Sequence, residues 1–194
     1  MLLLGLYQSQ RRLFDSMKQL FASDPIIRFY SGTGTDDCGR RIEEIWQWDH
    51  VRFEGVHNYI QWLFPLEVRS QFNPSAPVLT DQTVDVFRQD ATLRLRLKRS
   101  LQVMLDFYGL QLLEPDNEPI RIIRALNFNT NSSKWLIQGN HNHLRLTRII
   151  SSTKILGLET YSAALFKCLT EIYNDYPGKI SPNTYQYWRN AVPL

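Results

Sequence analysis

Three polar side chains at short spacing, Glu54, His57 and Gln61, are the first candidates for chemistry in the sequence. On a helix, His57 and Gln61 are four residues apart and project from one face, with Glu54 a turn earlier. A carboxylate, an imidazole and an amide on one face are able to hold a peptide, a cofactor or an ion. We favour the alternative, a buried hydrogen-bonded network, because three large apolar residues follow at positions 62–64 and buried polar groups must be paired.

The histidines offer a second candidate, a metal site. His141 and His143 form an H-x-H pair, and together with His57 they would supply three imidazole ligands. This spacing is common in loops, and the sequence contains neither an H-E-x-x-H motif nor a C-x-x-C pair. We therefore expect no metal and no other cofactor. The sequence also lacks G-x-S-x-G, Walker and G-x-G-x-x-G motifs, so an enzyme would have no named nucleophile.

Two arginines form a third candidate, an anion site. Arg145 and Arg148 are three residues apart near the start of a predicted helix, whose N-terminal amides attract anions. A phosphate or the carboxylate of a peptide C-terminus would fit this position. In the alternative interpretation Asn142 caps the helix, and the arginines pair with acidic residues such as Glu159 or Asp106. The residues alone leave both interpretations equally open.

A cluster of basic residues farther along the chain raises the question of nucleic-acid binding. Its members are Arg94, Arg96, Lys98 and Arg99. Basic residues combined with tryptophans are typical of single-stranded RNA binding. Leucines alternate with these basic residues, however, and no RNA-recognition signature is present. A net charge of +3 is also too small to indicate a nucleic-acid partner, so we favour a solvated basic face.

Length and composition set the broad class of the protein. The 194 residues, 43% of them hydrophobic, are sufficient for a single domain over residues 1–194 with a substantial core. Cys38 and Cys168 lie far apart, which argues against a disulfide framework and favours a reducing compartment. No stretch approaches the roughly 20 apolar residues of a membrane-spanning helix, and the apolar N-terminus lacks the pattern of a secretory signal. We therefore expect a cytoplasmic protein.

The spacing of apolar residues predicts the elements that must position these candidates. Spacings of three and four residues predict helices over 6–21, 90–108, 144–156 and 158–173. Thr80 and Ser181 begin two shorter helices, because their hydroxyl groups cap helix N-termini. These shorter helices extend to about Gln89 and Asn190. Gly109 ends the helix over 90–108, because glycine adopts the left-handed conformation of a C-terminal cap.

Little of the sequence favours β structure. Two segments are plausible strands, Pro119–Ile123 and Trp135–Ile137, but each is too short to build a sheet around. The tryptophan-rich segment over 43–53 fits either the end of a helix or an irregular connection. The sequence therefore predicts an all-α fold in the main, a single irregular helical bundle with long loops and at most minor strands.

Three segments in order carry a resemblance to a known family. Phe53–Pro65 reads FEGVHNYIQWLFP, Ser100–Leu110 reads SLQVMLDFYGL, and Asn140–Tyr161 reads NHNHLRLTRIISSTKILGLETY. These blocks resemble the N-terminal region of the opioid growth factor receptor family, over about Phe29–Tyr173. Asn73-Pro74 and Leu79-Thr80 fit the family's connection between the first two blocks. The chain departs from the family pattern at Ser151–Thr153 and at His143, where the family usually has asparagine.

The resemblance implies a function. Vertebrate members are described as non-classical receptors for an opioid pentapeptide of the enkephalin type, associated with the nuclear envelope and with growth restraint. They carry a long C-terminal region of repeats, whereas this chain ends soon after the third block, as expected for a compact microbial-type member without those repeats. By the same resemblance we expect receptor activity and a peripheral contact with a membrane.

Our leading hypothesis is a binding module that recognises a peptide or protein partner in a groove where the first and third blocks meet. Trp62 would be an apolar anchor there, and the other residues would orient the partner through polar groups. The full candidate set is His57, Asn58, Gln61, Trp62, Asn142, Arg145 and Arg148. The alternative is a hydrolase or metal-dependent enzyme that uses Glu54, His57, His141 and His143. The sequence leaves the oligomeric state open.

Overall fold

A computed structural model describes Gln19 and residues 22–192, and this part of the chain is mainly helical. The helices are α1 (Pro25–Ser31), α2 (Ile42–Trp46), α3 (His50–Gly55), α4 (Ile60–Leu63), α5 (Asp81–Gln89), α6 (Ala91–Tyr108), α7 (Phe128–Ser132), α8 (Asn142–Ile155), α9 (Glu159–Asp175) and α10 (Pro182–Ala191). Two strands, β1 (Leu110–Leu113) and β2 (Arg121–Arg124), lie between α6 and α7. The predicted fold class, mainly α, is confirmed.

The predicted helix ends are also found. Thr80 and Ser181 accept hydrogen bonds from the backbone N–H groups of the third residues of α5 and α10, as N-terminal caps do. Asp90 caps α6 in the same way, which moves its start one residue beyond the predicted bound. Gly109 ends α6 in the left-handed region at φ 74°. Local side-chain chemistry therefore sets these boundaries.

The long helix α6 lies at the centre of the core. Its apolar stripe, which includes Leu97, Leu101, Met104 and Tyr108, is buried. Helices α1, α5 and α7 and strand β1 pack against α6, while α9 packs against α8 and β2. Helix α10 packs against α8, and the ring of its buried Trp188 meets His143 edge to face. This arrangement fixes α8 firmly between two neighbours.

The β structure differs from the prediction. β1 and β2 pair in antiparallel register, with Leu110 opposite Arg124 and Leu113 opposite Arg121. The first strand was not predicted, and Trp135–Ile137 is not a strand. Trp135 is instead fully buried, and its indole N–H donates to the carbonyl oxygen of Tyr108 at 3.0 Å. Tertiary packing therefore determines the conformation of this segment.

Two further predictions concern the first third of the chain. The undecided segment over 43–53 forms most of α2 and α3, which are joined by a short connection. The helix predicted over 6–21 lies outside the described residues, apart from Gln19. Of the helices described, none has both the length and the apolar character needed to cross a membrane. The cytoplasmic location and the peripheral membrane contact stay predictions.

Candidate functional site

A buried arginine on α8 joins the first and third sequence blocks. The Arg145 side chain donates to the carbonyl oxygens of Phe53 and Val56, each at 2.9 Å. Val56 is the C-terminal cap of α3, so these carbonyls lie at the helix end, where backbone acceptors lack partners within the helix. The guanidinium also lies 5.4 Å from the ring centroid of Tyr59. Arg145 therefore holds the end of α3 against α8.

The same guanidinium bonds to three side chains, with its longest contact to the Tyr59 hydroxyl at 3.4 Å. Arg145 donates to Nδ1 of His57 at 3.0 Å and to Oδ1 of Asn142 at 3.1 Å. Because a guanidinium has only donors, Nδ1 of His57 is the acceptor and the ring hydrogen is on Nε2. Asn142 in turn donates to Oε2 of Glu54 at 3.0 Å, and Oε1 of Glu54 lies 3.5 Å from Nε2 of His141. A network of hydrogen bonds thus connects α3, the connection after it and α8.

The predicted helix carrying both His57 and Gln61 is wrong. α3 ends at Gly55 and α4 begins at Ile60, so His57 lies in the connection between them. Val56 has an extended backbone at φ −96° and ψ 134°, which terminates α3. The polar contacts of Arg145 stabilise this break. His57 and Gln61 nevertheless line one cavity, which they share with residues of α8.

This cavity has a volume of about 310 Å³ and an apolar wall. Ile60 and Leu66 form part of its lining on the side of the first block, and Leu144 lies opposite on α8. Phe72 and Leu144 are 78% and 51% exposed, respectively, so the mouth is apolar and accessible. Exposed large apolar side chains around a concavity are typical of an interaction site.

The loop that carries Phe72 is anchored at several points. Its ends are joined by a backbone hydrogen bond from Leu79 to Leu66 at 2.9 Å. Within it, Ser70 Oγ accepts from the backbone N–H groups of Phe72 and Asn73 at 3.2 and 3.3 Å. The Asn73 amide donates to the backbone carbonyl of Asn58 at 3.2 Å. These contacts position Phe72 at the mouth of the cavity.

Arg148 places a second positive charge in the cavity lining, besides that of Arg145. It is half-buried, and it donates to the carbonyl oxygen of Phe64, the C-terminal cap of α4, at 3.1 Å. Within residues 22–192, no carboxylate forms an ion pair with it. Burial lowers the pKa of Arg148, but an arginine remains charged at neutral pH. The cavity wall therefore contains a cation without a counter-charge in the part of the chain that the structure describes.

Gln61 adds an unsatisfied acceptor to the same lining. Its side chain is buried, with only 4% of the residue exposed. The amide nitrogen lies 3.5 Å from Ser70 Oγ, at the outer limit of a hydrogen bond. Its Oε1 atom is buried and accepts no hydrogen bond from any residue between 22 and 192. Such groups are rare in folded proteins, so among the described residues Gln61 leaves an acceptor in the lining without a donor.

Comparison with known proteins places these blocks in a family. The model of the "Opioid growth factor receptor (OGFr) conserved region" matches residues 27–193. This chain belongs to the opioid growth factor receptor family. The predicted resemblance is confirmed, and the match extends beyond the predicted 29–173 region at both ends. No solved structure of a known protein matches the chain.

The relatives are much longer proteins. The mouse opioid growth factor receptor is 40% identical over 136 residues, which cover 69% of this chain and 21% of the mouse protein. The human receptor is 35% identical over 157 residues, 78% of this chain and 22% of its own length. The opioid growth factor receptor-like protein 1 of Xenopus tropicalis is 32% identical over 168 residues, 84% of this chain and 32% of its own length. The chain thus spans about a fifth to a third of these relatives.

In this family member, two predicted site residues lie away from the cavity. The Trp62 indole donates to Oδ1 of Asp37 at 3.1 Å, and the residue is only 5% exposed. Asn58 accepts from Arg40 at 3.0 Å and donates to the sulfur of Cys38 at 3.1 Å. Both side chains bind the loop over 36–40. Trp62 is therefore not the apolar anchor that the sequence predicts, and Asn58 has a structural role.

The three histidines proposed as metal ligands do not converge. The rings of His57 and His141 are 5.2 Å apart. His143 is buried between Trp135 and Trp188, and its Nε2 lies 3.0 Å from the carbonyl oxygen of Trp135. Burial lowers the pKa of both His141 and His143, which keeps them neutral at pH 7. His143 is thus a core residue, and the three-imidazole arrangement is not formed.

The group of metal-ligating atoms that the described residues do bring together lies elsewhere, at Asp36, Asp37 and Cys38. Oδ1 of Asp36 accepts from the backbone N–H groups of Cys38 and Arg40, each at 2.9 Å. Oδ2 of Asp36 accepts from Nε of Arg40 at 2.6 Å. The buried carboxylate is therefore already satisfied and serves the loop structure.

The predicted acidic partners of the α8 arginines bind other groups. Glu159 pairs with Arg88 at 2.8 Å, and Asp106 pairs with His50 at 3.0 Å. Asn142 is the first residue of α8 rather than its cap, and its side chain accepts from Arg145 instead of from the helix backbone. This alternative is wrong, because the arginines donate to backbone carbonyls at the ends of short helices and to polar side chains, none of them acidic.

The basic cluster within α6 is largely satisfied inside the protein. Arg96 pairs with Glu43, and Lys98 pairs with Glu114 at 2.9 Å. The Arg94 guanidinium donates to backbone carbonyls at the end of α5. These contacts disfavour RNA binding, but the cluster is not the solvated face that the sequence predicts, because Arg99 alone among its four members is exposed.

Sequence reasoning missed the apolar part of the site. Leu66, Phe72 and Leu144 line the cavity, yet no motif identified them. A usable signal was present in the loop: Phe72 is a large aromatic residue between polar residues and directly before Asn73-Pro74, where turn chemistry places it at the surface. Leu144 lies off the buried stripe of α8, which is a second signal of the same kind.

Proposed function

We propose that this chain is a binding module that takes up a segment of a peptide or protein partner in the cavity between the first block and α8. The observation that carries the proposal is the combination of an exposed apolar mouth with a cation that has no counter-charge among the described residues. Apolar surface supplies affinity, and a few polar groups fix orientation.

The dimensions of the cavity favour a small part of a larger ligand. A volume of about 310 Å³ lies at the lower end of ligand sites and fits one or two side chains rather than a dinucleotide cofactor. Phe72 and Leu144 continue the apolar surface outside the cavity. A peptide whose end residue enters the cavity would therefore also contact this outer surface through its neighbouring residues. A peptide meets both requirements.

The names of the relatives support the same class of function. The mouse and human proteins are named opioid growth factor receptors, and the family model matches residues 27–193, which include both walls of the cavity. We propose that receptor-like recognition of a peptide or protein extends to this chain.

A peptide library tests this proposal directly. A phage library displaying random dodecapeptides is selected on the protein, and enriched peptides are synthesised and titrated by isothermal calorimetry. An opioid pentapeptide of the enkephalin type is titrated separately. We expect micromolar binding by at least one peptide; failure of every peptide to bind would overturn the proposal.

Two matched variants show whether binding uses the cavity. Leu144 and Ile137 are 51% and 52% exposed, and only Leu144 lines the cavity. We expect Leu144→Glu to weaken binding at least tenfold, because it places a charge in the apolar mouth, while Ile137→Glu leaves affinity unchanged. Equal effects of the two substitutions would place the binding site elsewhere.

A further inference from the structure

We propose that the group bound in the cavity is the carboxyl-terminal residue of a peptide chain, with an apolar side chain and a free carboxylate. This inference rests on the proposed function and specifies which part of the partner is recognised. It depends on three features of one lining: the charge of Arg148, the buried acceptor of Gln61 and the apolar wall.

Arg148 selects for the carboxylate. Its guanidinium makes a single hydrogen bond within residues 22–192, to the carbonyl of Phe64, and forms no ion pair there. The remaining N–H groups are suited to the two oxygens of a carboxylate, which a guanidinium binds in a planar, bidentate geometry. A second donor is available in the lining, because His57 carries its ring hydrogen on Nε2 when Nδ1 accepts from Arg145.

The acceptor of Gln61 favours a peptide over apolar acids that lack an N–H group. Its buried Oε1 atom has no donor within residues 22–192, so it is an acceptor that suits a ligand with an N–H or O–H group. The last residue of a peptide carries an amide N–H, a carboxylate and a side chain on one α-carbon. A fatty acid lacks the N–H group, and an internal segment of a protein has no carboxylate on the α-carbon that carries its apolar side chain.

The apolar wall selects the side chain. Ile60 and Leu66 on one side and Leu144 on the other leave space for a residue such as leucine, methionine or phenylalanine. Burying such a side chain contributes favourable transfer free energy, whereas a charged terminal residue would lose its hydration without a partner. The expected motif is therefore an apolar residue followed by a free carboxylate.

Chemical changes to the ligand test this inference without altering the protein. The probes are N-acetylated pentapeptides ending in leucine, methionine or phenylalanine, prepared as the free acid, as the amide, and as the acid with an N-methylated last peptide bond. Affinities are measured by equilibrium dialysis with mass spectrometric detection. We expect the free acid to bind roughly 10- to 100-fold more tightly than the amide, the usual effect of losing a hydrogen bond to a charged group.

The N-methylated acid tests the role of Gln61. Methylation removes the N–H group while retaining the carboxylate and the side chain, so we expect binding at least fivefold weaker than for the free acid. Decanoate is the matched probe for an apolar acid without an amide. Tight binding of decanoate together with unchanged binding of the N-methylated peptide would overturn the assignment to Gln61 and indicate a lipid-like acid.

A pair of variants connects the preference to Arg148. Arg148→Gln should abolish the difference between acid and amide, while Arg189→Gln, which removes an equal charge from an exposed position on α10, should preserve it. Circular dichroism checks the fold of both variants, and the ligand series on the unchanged protein decides the question if Arg148→Gln fails to fold. Equal binding of acid and amide in a site sensitive to Leu144→Glu would overturn this inference and leave the proposed function intact. Failure of all free acids and all library peptides would remove both.

Discussion

Replacing Arg145 by alanine should destabilise the whole protein. The side chain is 5% exposed and bonds to backbone carbonyls of Phe53 and Val56 and to the side chains of His57 and Asn142. Removing the guanidinium leaves the two carbonyls at the end of α3 without their donor. It also removes several of the contacts between α3 and α8, leaving the bond from Asn142 to Glu54.

The structure allows an estimate of the cost. A buried carbonyl without a partner costs about 1–3 kcal/mol. Two carbonyls lose their donor here, and water that enters the space left by the side chain would recover part of the lost free energy. We therefore expect the free energy of unfolding to fall by about 3 kcal/mol, a large share of the roughly 5–15 kcal/mol typical of a domain. Arg145→Lys retains the charge but has too few suitably placed donors for both carbonyls, so we expect about half of that loss.

Urea unfolding followed by tryptophan fluorescence measures this change. With a slope of about 2 kcal/mol per molar urea, the midpoint for Arg145→Ala should fall by about 1.5 M. Arg189→Ala serves as the control, because an exposed arginine should alter the free energy of unfolding by less than about 0.5 kcal/mol. A loss below about 1 kcal/mol for Arg145→Ala at unchanged slope would refute the structural role assigned to this residue.

Three further predictions follow from local features. Asp90→Ala removes the cap of α6 and should lower the free energy of unfolding by about 1 kcal/mol in urea titrations; no change would mean that water replaces the cap. Gly109→Ala should cost about 2 kcal/mol or more by the same assay, because φ is 74° and the added Cβ would lie 2.8 Å from the Cα of Phe128; a neutral effect would contradict the close packing. Burial lowers the pKa of His143 from its usual 6.5, so the unfolded chain binds a proton first and stability should fall below about pH 6.5. In His143→Asn the midpoint should fall less between pH 7.5 and pH 5.5, with the remaining slope due partly to His141, whose pKa is lowered in the same direction; an identical slope would show that His143 is not buried neutral.

Where a feature depends on neighbouring residues in the chain, the sequence was sufficient to predict it. Thr80, Ser181 and Gly109 act on backbone groups within a few residues, and each ends or begins a helix as expected. The apolar stripe of α6 was equally clear, because residues three and four apart share a helix face. Such local signals account for most of the long helices.

Features that depend on distant partners were missed. Leu110–Leu113 becomes a strand because Arg121–Arg124 pairs with it, and four residues carry too little pattern of their own. Trp135 has a high strand propensity, but its indole is fixed by the carbonyl of Tyr108 in the core. At both places, tertiary contacts rather than local propensity determine the conformation.

In the candidate site, too, some features were predicted from the sequence and those that depend on distant residues were not. The meeting of the first and third blocks was predicted correctly, and His57 and Arg145 are indeed in contact. The break between α3 and α4 was not predicted, because a residue about 90 positions later stabilises it. That break rotates Trp62 toward Asp37 instead of the cavity. Periodicity within one block carries no information about a contact at that separation.

The two walls of the cavity come from segments more than 80 residues apart in the chain, as the bond between Arg148 and the Phe64 carbonyl shows. The cavity therefore exists only when both segments are folded and docked, and a compound bound there has no comparable site on the unfolded chain. Binding must then shift the folding equilibrium of the entire module, by about 2.7 kcal/mol at a ligand concentration one hundred times Kd. A rise in the thermal unfolding temperature becomes a general detector for any partner of this site, including one whose chemistry has not been anticipated.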